Sequence, residues 1–131
     1  MPAESTKLEE NKKIVVAFYQ KALFEGDVDT AVQLYGGKSY TQHTPFAADG
    51  FNGLRSYVKW IVGNYPKTRG EIKRVFADGE FVVLHCHWTG FFGKNGDAII
   101  DIFRLEKGKI VEHWDVIQAI PDTSLNENTM F

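Results

Sequence analysis

DIFRLEKGKIVEHWDVIQ, residues 101–118, is the stretch that decides the fold. Two runs of β-branched and aromatic residues flank Lys107-Gly108, and glycine supplies the positive φ that a tight hairpin turn needs. The stretch therefore predicts two antiparallel strands, over about 97–106 and 109–119. Both strands also carry charged side chains, and a charge buried in a sheet must be paired or neutralised.

The length of the turn determines which of these charged side chains share a face. A three-residue loop over 106–108, a type I turn closed by glycine in the left-handed conformation, suits the sequence best. In that register Asp101 lies opposite His113, and Asp115 is a diagonal neighbour on the same face. A two-residue loop would instead place Asp101 and Asp115 on opposite faces, because a one-residue slip inverts every side chain.

The predicted shared face is apolar apart from these three groups. If helices cover it incompletely, the remaining space is an apolar cavity with a few convergent polar groups, which is the usual form of a small-molecule site. The alternative is that Asp101 and His113 only satisfy each other as a structural pair. The apolar members of the face are Ile99, Phe103, Val111 and Ile117.

The first half of the chain shows helical periodicity in three segments. We expect these helices to begin at Thr6 (in a capping box with Glu9), Asp27 and Asn52, and to stop at Gly26, Gly36-Gly37 and before Pro66. Between the second and third helices, KSYTQHTPF (38–46) is predicted to be extended, since Pro45 disfavours a helix.

Four β-type runs follow Pro66, over about 70–77, 80–91, 97–106 and 109–119, separated by Asp78-Gly79, Asn95-Gly96 and Lys107-Gly108. Helices followed by a strand meander predict an α+β fold, with three N-terminal helices packed on one curved antiparallel sheet. We expect a single domain over residues 1–131, with 1–7 and 121–131 as flexible or accessory ends.

Composition excludes several classes of partner. The net charge of −2 and the lack of a Lys/Arg cluster argue against nucleic acid and anionic membranes as partners. The N-terminus has no apolar core of the kind that a signal peptide needs, and no run of 18 apolar residues occurs. Cys86 is the single cysteine, so no internal disulfide can form. These features predict a cytoplasmic protein.

The other histidines offer further candidates. His43 could point into the cavity as a hydrogen-bond donor or proton carrier, or it could contact solvent from its loop. His85 and His87 are two residues apart on a strand and so share a face. A metal site made by these two with His113 is conceivable, but no acidic ligand follows them, and we predict no metal.

Two motifs, YTQH (40–43) and DIFRLEKGKIVEHWDVIQ (101–118), together with the order of helices and strands, resemble the SnoaL-like polyketide cyclase group of the NTF2-like superfamily. The resemblance covers about residues 8–121. It implies a cone-shaped α+β barrel around a pocket, commonly dimeric through the outer face of the sheet. The outer face here carries an apolar stripe of Ile100, Ile102, Trp114 and Val116, consistent with a homodimer. The alternative is that the C-terminal tail of the same chain covers this face.

The resemblance also implies residue roles. In the characterised cyclases an Asp on the last strand is the acid/base of an intramolecular aldol condensation, and it falls on Asp115. A pocket His on the preceding strand falls on Asp101, which is a departure from the family pattern. The polar residue after the second helix falls near Gln42 and His43.

These roles predict acid–base chemistry without a metal or organic cofactor. Asp115 would be a base whose pKa is raised by its apolar wall and by a second carboxylate. Asp101 would be protonated and donate to a developing enolate oxygen, with His43 or His113 as second donor. The ligand, a hydrophobic carbonyl compound, would also contact Tyr40, Gln42, Trp60, Ile99, Phe103 and Ile117. The protein would be a lyase, cyclase or isomerase; the alternative is a binding module that only orients its ligand.

Overall fold

A computed structural model describes residues 3–131. It confirms the predicted α+β class, with helices preceding a meander of strands. The helices are α1 (Glu4–Tyr19, extended by a π-helical turn over Gln20–Phe24), α2 (Val28–Tyr35) and α3 (Gly50–Asn64). The strands are β1 (Gly36–Gln42), β2 (Arg69–Asp78), β3 (Phe81–Thr89), β4 (Asp97–Glu106) and β5 (Lys109–Ala119).

The start of α1 differs from the prediction. The helix begins at Glu4 after an extended Ala3, with no side-chain cap, so the predicted capping box at Thr6 does not form. The carboxylate of Glu4 in the first turn is favourable because it complements the positive end of the helix dipole. Residues 4–7 of the predicted flexible or accessory N-terminal end form the first turn of α1, and residues 1–2 lie outside the described part of the chain.

The predicted start of α2 is confirmed, and the predicted start of α3 is wrong. Asp27 caps α2 as predicted, since its Oδ1 accepts the backbone N–H of Thr30 at 3.2 Å. The third helix begins at Gly50 and not after Asn52. Gly50 has φ +77, which lets the chain turn into the helix three residues earlier than expected.

The sheet is mixed and open. Its strand order is β1-β5-β4-β3-β2, and the four later strands form the predicted antiparallel meander. The first strand corrects the prediction of a wholly antiparallel sheet, because β1 lies parallel to β5. Parallel neighbours need a long crossover, which α3 and the rest of the meander supply here. With β1 and β2 at its two edges, the sheet does not close into the predicted barrel.

The turn between β4 and β5 overturns the predicted register. It has two residues, Lys107 and Gly108, with φ +50 and +76, which is the type I′ geometry of a two-residue hairpin. An extra residue in β5, Val111, then forms a β-bulge. Because of this bulge, the side chain of Asp115 lies on the same face of the sheet as Asp101. Asp101 consequently lies directly opposite Asp115. The prediction that Asp101 and Asp115 share a face is confirmed. The predicted three-residue loop, on which it depended, is wrong.

The helices cover this face of the sheet. Phe18 of α1 is 1% exposed and packs edge-on against Phe103 of β4, with ring centroids 5.9 Å apart. Leu54 and Tyr57 bring the buried face of α3 over the same region. Within residues 3–131, no helix combines the length and apolarity needed to cross a membrane.

Lys107 makes a testable contribution to stability. Its φ of +50 lies in the left-handed region, where a lysine costs about 1 kcal/mol and Asn is better tolerated. Lys107→Asn should therefore raise the free energy of unfolding by about 0.5–1 kcal/mol, measured by chemical denaturation. Lys67→Asn, at an exposed position with ordinary φ, is the matched control. Equal stability of the two variants would contradict the strain argument.

Candidate functional site

A cavity lies between α1, α3 and the sheet. Its walls are largely aromatic and aliphatic, and Asp101, His113 and Asp115 converge on it from β4 and β5. All but two of the predicted site residues line it, and the two exceptions are His43 and Trp60. The other predicted residues that line it are Tyr40, Gln42, Ile99, Phe103 and Ile117.

The cavity is narrow. The centre of a water molecule can occupy only about 20 Å³ of it, which is room for roughly one water. A ligand of several carbon atoms can therefore enter only if side chains in the wall move apart.

Asp101 is held by two partners inside the protein. It is 2% exposed, and its Oδ1 lies 2.8 Å from His113 Nε2. The hydroxyl of Tyr19 donates to its Oδ2 at 2.8 Å. The pKa of Tyr19 is raised, first by burial and then by the charge of Asp101. Sequence reasoning missed Tyr19 as a site residue, although a tyrosine on the buried face of a helix signals a hydroxyl that needs a partner.

The other nitrogen of His113 faces β1. Its Nδ1 lies 2.7 Å from Gln42 Oε1 and 3.3 Å from the hydroxyl of Thr44. Parallel pairing places Gln42 beside His113, and the backbone N–H of His43 donates to the His113 carbonyl at 2.9 Å. Thr44, which is 2% exposed, was not identified from the sequence because it lies beyond the end of β1.

Asp115 is the carboxylate with a displaced pKa. Burial raises the pKa of Asp115, and the charge of Asp101 raises it further, while His113 and Thr44 oppose the shift. The predicted direction for this residue is therefore confirmed, and so is its main cause, desolvation by the apolar wall.

Two donors in the cavity wall were not foreseen. The indole N–H of Trp88 is buried and has no hydrogen-bond partner within residues 3–131. Tyr57 also lines the cavity; burial raises the pKa of its hydroxyl, and the charges of Asp115 and Asp101 add to the shift. Buried donors of this kind usually find a partner, and a ligand can supply one.

His43 and Trp60 lie elsewhere. The His43 ring stacks on Trp114 with centroids 4.8 Å apart, and its Nε2 lies 2.7 Å from Glu112 Oε2. Both contacts are on the outer face of the sheet, because His43 points away from the cavity that Gln42 faces. Trp60 is 39% exposed and packs on Tyr57 from outside the cavity. The structure therefore corrects the predicted position of both residues, because neither the His43 imidazole nor the Trp60 indole lines the cavity.

His85 and His87 do share a face, but it is the outer one. The ring of Phe131 stacks on His87 at 4.2 Å between centroids and lies 5.4 Å from that of His85. The ring of Phe131 thus lies on the outer side of β3, at the end of a segment, 121–131, that has no regular secondary structure. A metal site that combines these histidines with His113 is excluded, because His113 faces the cavity.

Within residues 3–131, one other cluster has the spacing for a cation. Donor atoms of Asp101, His113 and Asp115 lie within 4.8 Å of one another. However, His113 Nε2 and Asp101 Oδ1 already share a hydrogen bond at 2.8 Å, which a metal ion would have to replace. We therefore interpret Asp101, His113 and Asp115 as a group that exchanges hydrogen bonds and protons, and not as a set of metal ligands.

The raised pKa of Asp115 predicts a stability effect. A carboxylate whose pKa is higher in the folded than in the unfolded state destabilises the fold once pH rises above the unfolded pKa. Asp115→Asn should therefore unfold at a higher temperature than the wild type at pH 7, and the difference should disappear below about pH 4.

Asp122 provides the control of opposite sign. The Asn95 side chain, and then Lys94, hold the pKa of Asp122 below its ordinary value, so Asp122→Asn should give no gain at pH 7. A destabilised Asp115→Asn protein at pH 7 would contradict the desolvation argument.

Comparison with known proteins identifies the family. Residues 15–113 match the family described as the SnoaL-like domain, which is more than half of the chain. The chain belongs to the SnoaL-like family. This agrees with the resemblance seen in the two sequence motifs. No curated protein sequence gives a significant match.

Solved structures show the same fold at low sequence identity. A candidate SnoaL-like polyketide cyclase from Jannaschia sp. CCS1 is 14% identical with a TM-score of 0.71, and the match covers 89% of this chain and 91% of that one. A candidate polyketide cyclase from Acidithiobacillus ferrooxidans is 20% identical with a TM-score of 0.67 and the same coverage. AclR of Streptomyces galilaeus, a candidate hydroxylase, is 17% identical with a TM-score of 0.64, covering 85% and 90%. At such identities the similarity of this SnoaL-like chain to them shows the fold alone.

Proposed function

We propose that this SnoaL-like protein is a cofactor-free cyclase, lyase or isomerase that removes a proton next to a carbonyl group of a hydrophobic compound. The observation that carries the proposal is a carboxylate of raised pKa, Asp115, set in an apolar cavity opposite the Asp101–His113 pair. The family includes polyketide cyclases by name, which supports this class of reaction.

Asp115 acts as the general base. Proton abstraction beside a carbonyl is most efficient when the pKa of the base lies near the working pH. An ordinary aspartate is too weak a base for this, and burial in the cavity shifts its pKa in the required direction. The abstracted proton then resides on Asp115. It can return to another carbon, which gives isomerisation, or the carbanion can attack a second carbonyl, whose oxygen then takes the proton from Asp115, which gives an aldol product.

The enolate oxygen needs hydrogen-bond donors where its charge develops. The sequence predicted Asp101 with His43 or His113 for this role. His43 lies outside the cavity, and the Nε2 of His113 is occupied by Asp101. We therefore assign the donor role to two other groups of the cavity wall, the hydroxyl of Tyr57 and the indole N–H of Trp88, which has no hydrogen-bond partner within residues 3–131.

Exchange of α-hydrogen for deuterium tests the proposal without knowledge of the natural substrate. Hydrophobic ketones such as 1-tetralone are incubated with the protein in D₂O, and loss of the α-proton signal is followed by NMR. We expect exchange above the buffer rate, increasing with pH as Asp115 ionises, with a midpoint above the ordinary pKa of aspartate. Ketones that bind but exchange only at the buffer rate would favour the non-catalytic binding module.

We also propose a homodimer through the outer face of the sheet. On that face Val116 is 70% exposed and Ile100 is 38% exposed. The two residues lie opposite each other on neighbouring strands and form part of a contiguous apolar stripe. Monomers seldom leave such a patch uncovered. Trp114 is only partly exposed because His43 stacks on it, so Val116 is the better position for a disruptive change.

Val116→Glu should halve the mass measured by light scattering, because the new carboxylate would be buried without a partner at the interface. The matched control is Val62→Glu on α3, which is 58% exposed but far from the outer face and should leave the dimer intact. A wild-type protein that is monomeric at high micromolar concentration would rule out the interface.

A further inference from the structure

The side-chain amide of Gln42 is oriented by its neighbours. The backbone N–H of Thr44 donates to Gln42 Oε1 at 3.2 Å, so this atom must be the oxygen. The amide nitrogen donates to the hydroxyl of Tyr40 at 3.3 Å. The main chain of Gln42 is tied in turn to Asp49, whose Oδ1 accepts its N–H at 2.8 Å. Gln42 therefore presents a fixed acceptor.

That acceptor determines where His113 carries hydrogen. Gln42 Oε1 lies 2.7 Å from His113 Nδ1, and two acceptors cannot share a hydrogen bond, so Nδ1 must be protonated. His113 Nε2 lies 2.8 Å from Asp101 Oδ1, and one hydrogen lies between them. Whether that hydrogen is bonded to nitrogen or to oxygen, the Asp101–His113 pair has no net charge.

We propose that Gln42 is a positioning residue that holds His113 in the form protonated at Nδ1, which keeps the Asp101–His113 pair net neutral opposite Asp115. The hydrogen-bonding part of the proposal is independent of the proposed function, and its catalytic consequence rests on that function. Gln42 was predicted from the sequence as a ligand contact, whereas here it acts on the site through His113.

The neutral pair explains how two aspartates can face each other. Like charges directly opposite on neighbouring strands are destabilising, and Asp101 and Asp115 are such a pair. If Nδ1 lost its hydrogen, His113 would be neutral with Nε2–H donating to an ionised Asp101, and the pair would carry a negative charge. Asp115 would then ionise against a second full charge. The Gln42 oxygen prevents this state because an unprotonated Nδ1 would face it lone pair to lone pair.

NMR of protein labelled with ¹⁵N-histidine tests the proposal directly. Signals of the other three histidines are assigned and removed with His43→Gln, His85→Gln and His87→Gln, which leaves His113. In the wild type we expect Nδ1 to resonate as a protonated nitrogen across neutral pH. A wild-type His113 that is unprotonated at Nδ1 overturns the proposal, and this result needs no variant.

Two Gln42 variants separate positioning from a merely structural role. Gln42→Met removes the acceptor at similar side-chain length, and the His113 Nδ1 signal should move toward the unprotonated range. Gln42→Glu keeps an acceptor oxygen and should retain the protonated signal. Gln118→Met, the same change at an exposed position of β5, is the control and should leave His113 unchanged. An unchanged His113 spectrum in folded Gln42→Met overturns the proposal. None of these readouts depends on turnover. They can therefore fail while Asp115 remains the base, and they can succeed even if Asp115 is not the base.

Discussion

Asp115→Asn is expected to lower the rate of α-hydrogen exchange of a bound ketone by roughly 10²–10⁴, which is the contribution typical of a general base. The substitution keeps the size and shape of the side chain but removes its ability to accept the proton. Because burial already disfavours the charged form of Asp115, the variant should remain folded and bind the ketone with nearly unchanged affinity. Exchange rates at saturating ketone, with dissociation constants measured separately, distinguish lost catalysis from lost binding.

The control for this experiment is Asp122→Asn, an exposed aspartate outside the cavity, which should exchange the ketone at the wild-type rate. If Asp115→Asn retains wild-type exchange, Asp115 is a structural residue and the proton is removed by another group. A parallel loss of ketone binding would instead assign Asp115 to ligand recognition.

His113→Leu is expected to lower the free energy of unfolding by about 3–5 kcal/mol, which is the usual cost of removing one partner of a buried ion pair. Asp101 is 2% exposed and would keep only the hydroxyl of Tyr19 as a donor. The leucine would also leave Gln42 Oε1 without its 2.7 Å partner. Urea denaturation followed by circular dichroism gives the quantity directly.

Replacing both Asp101 and His113 tests whether the loss of stability in His113→Leu comes from the Asp101 carboxylate, which is buried there without its histidine partner. Asp101→Leu/His113→Leu should recover much of the stability lost in His113→Leu, since a buried pair can often be replaced by apolar residues at little cost. His85→Leu on the outer face is the matched control and should cost much less. A double variant as unstable as His113→Leu would show that packing, and not charge, causes the loss.

Much of the fold followed from local patterns. Glycine turns and apolar runs predicted the four strands of the meander to within two residues at every end, because alternation and turn chemistry are local properties. Helix starts were less predictable. The backbone at Gly50 turned into α3 before the expected cap at Asn52, and local sequence offers several residues that can serve as caps.

The sequence by itself also determined which side chains within each strand share a face. Asp101 must align with Ile99 and Phe103, and His113 with Asp115, since side chains alternate along a strand. Whether the Asp101 side of β4 and the Asp115 side of β5 form the same face of the sheet was decided only by the tertiary structure. A two-residue turn alone would have separated Asp101 from Asp115, and the bulge at Val111 brought them back together.

The bulge lies where β5 also pairs with β1. Ile110 and Val111, at the register shift, are both buried, at 0% and 5% exposure. Val111 lies where a side chain on Gly37 would stand, within 2.5 Å of that position, so the pairing with β1 accommodates the extra residue. The same pairing turns Gln42 toward His113 and His43 away from it. Contacts between residues about 70 positions apart, such as Gln42 with His113, depend on strand register and packing across the whole sheet, which no local pattern encodes.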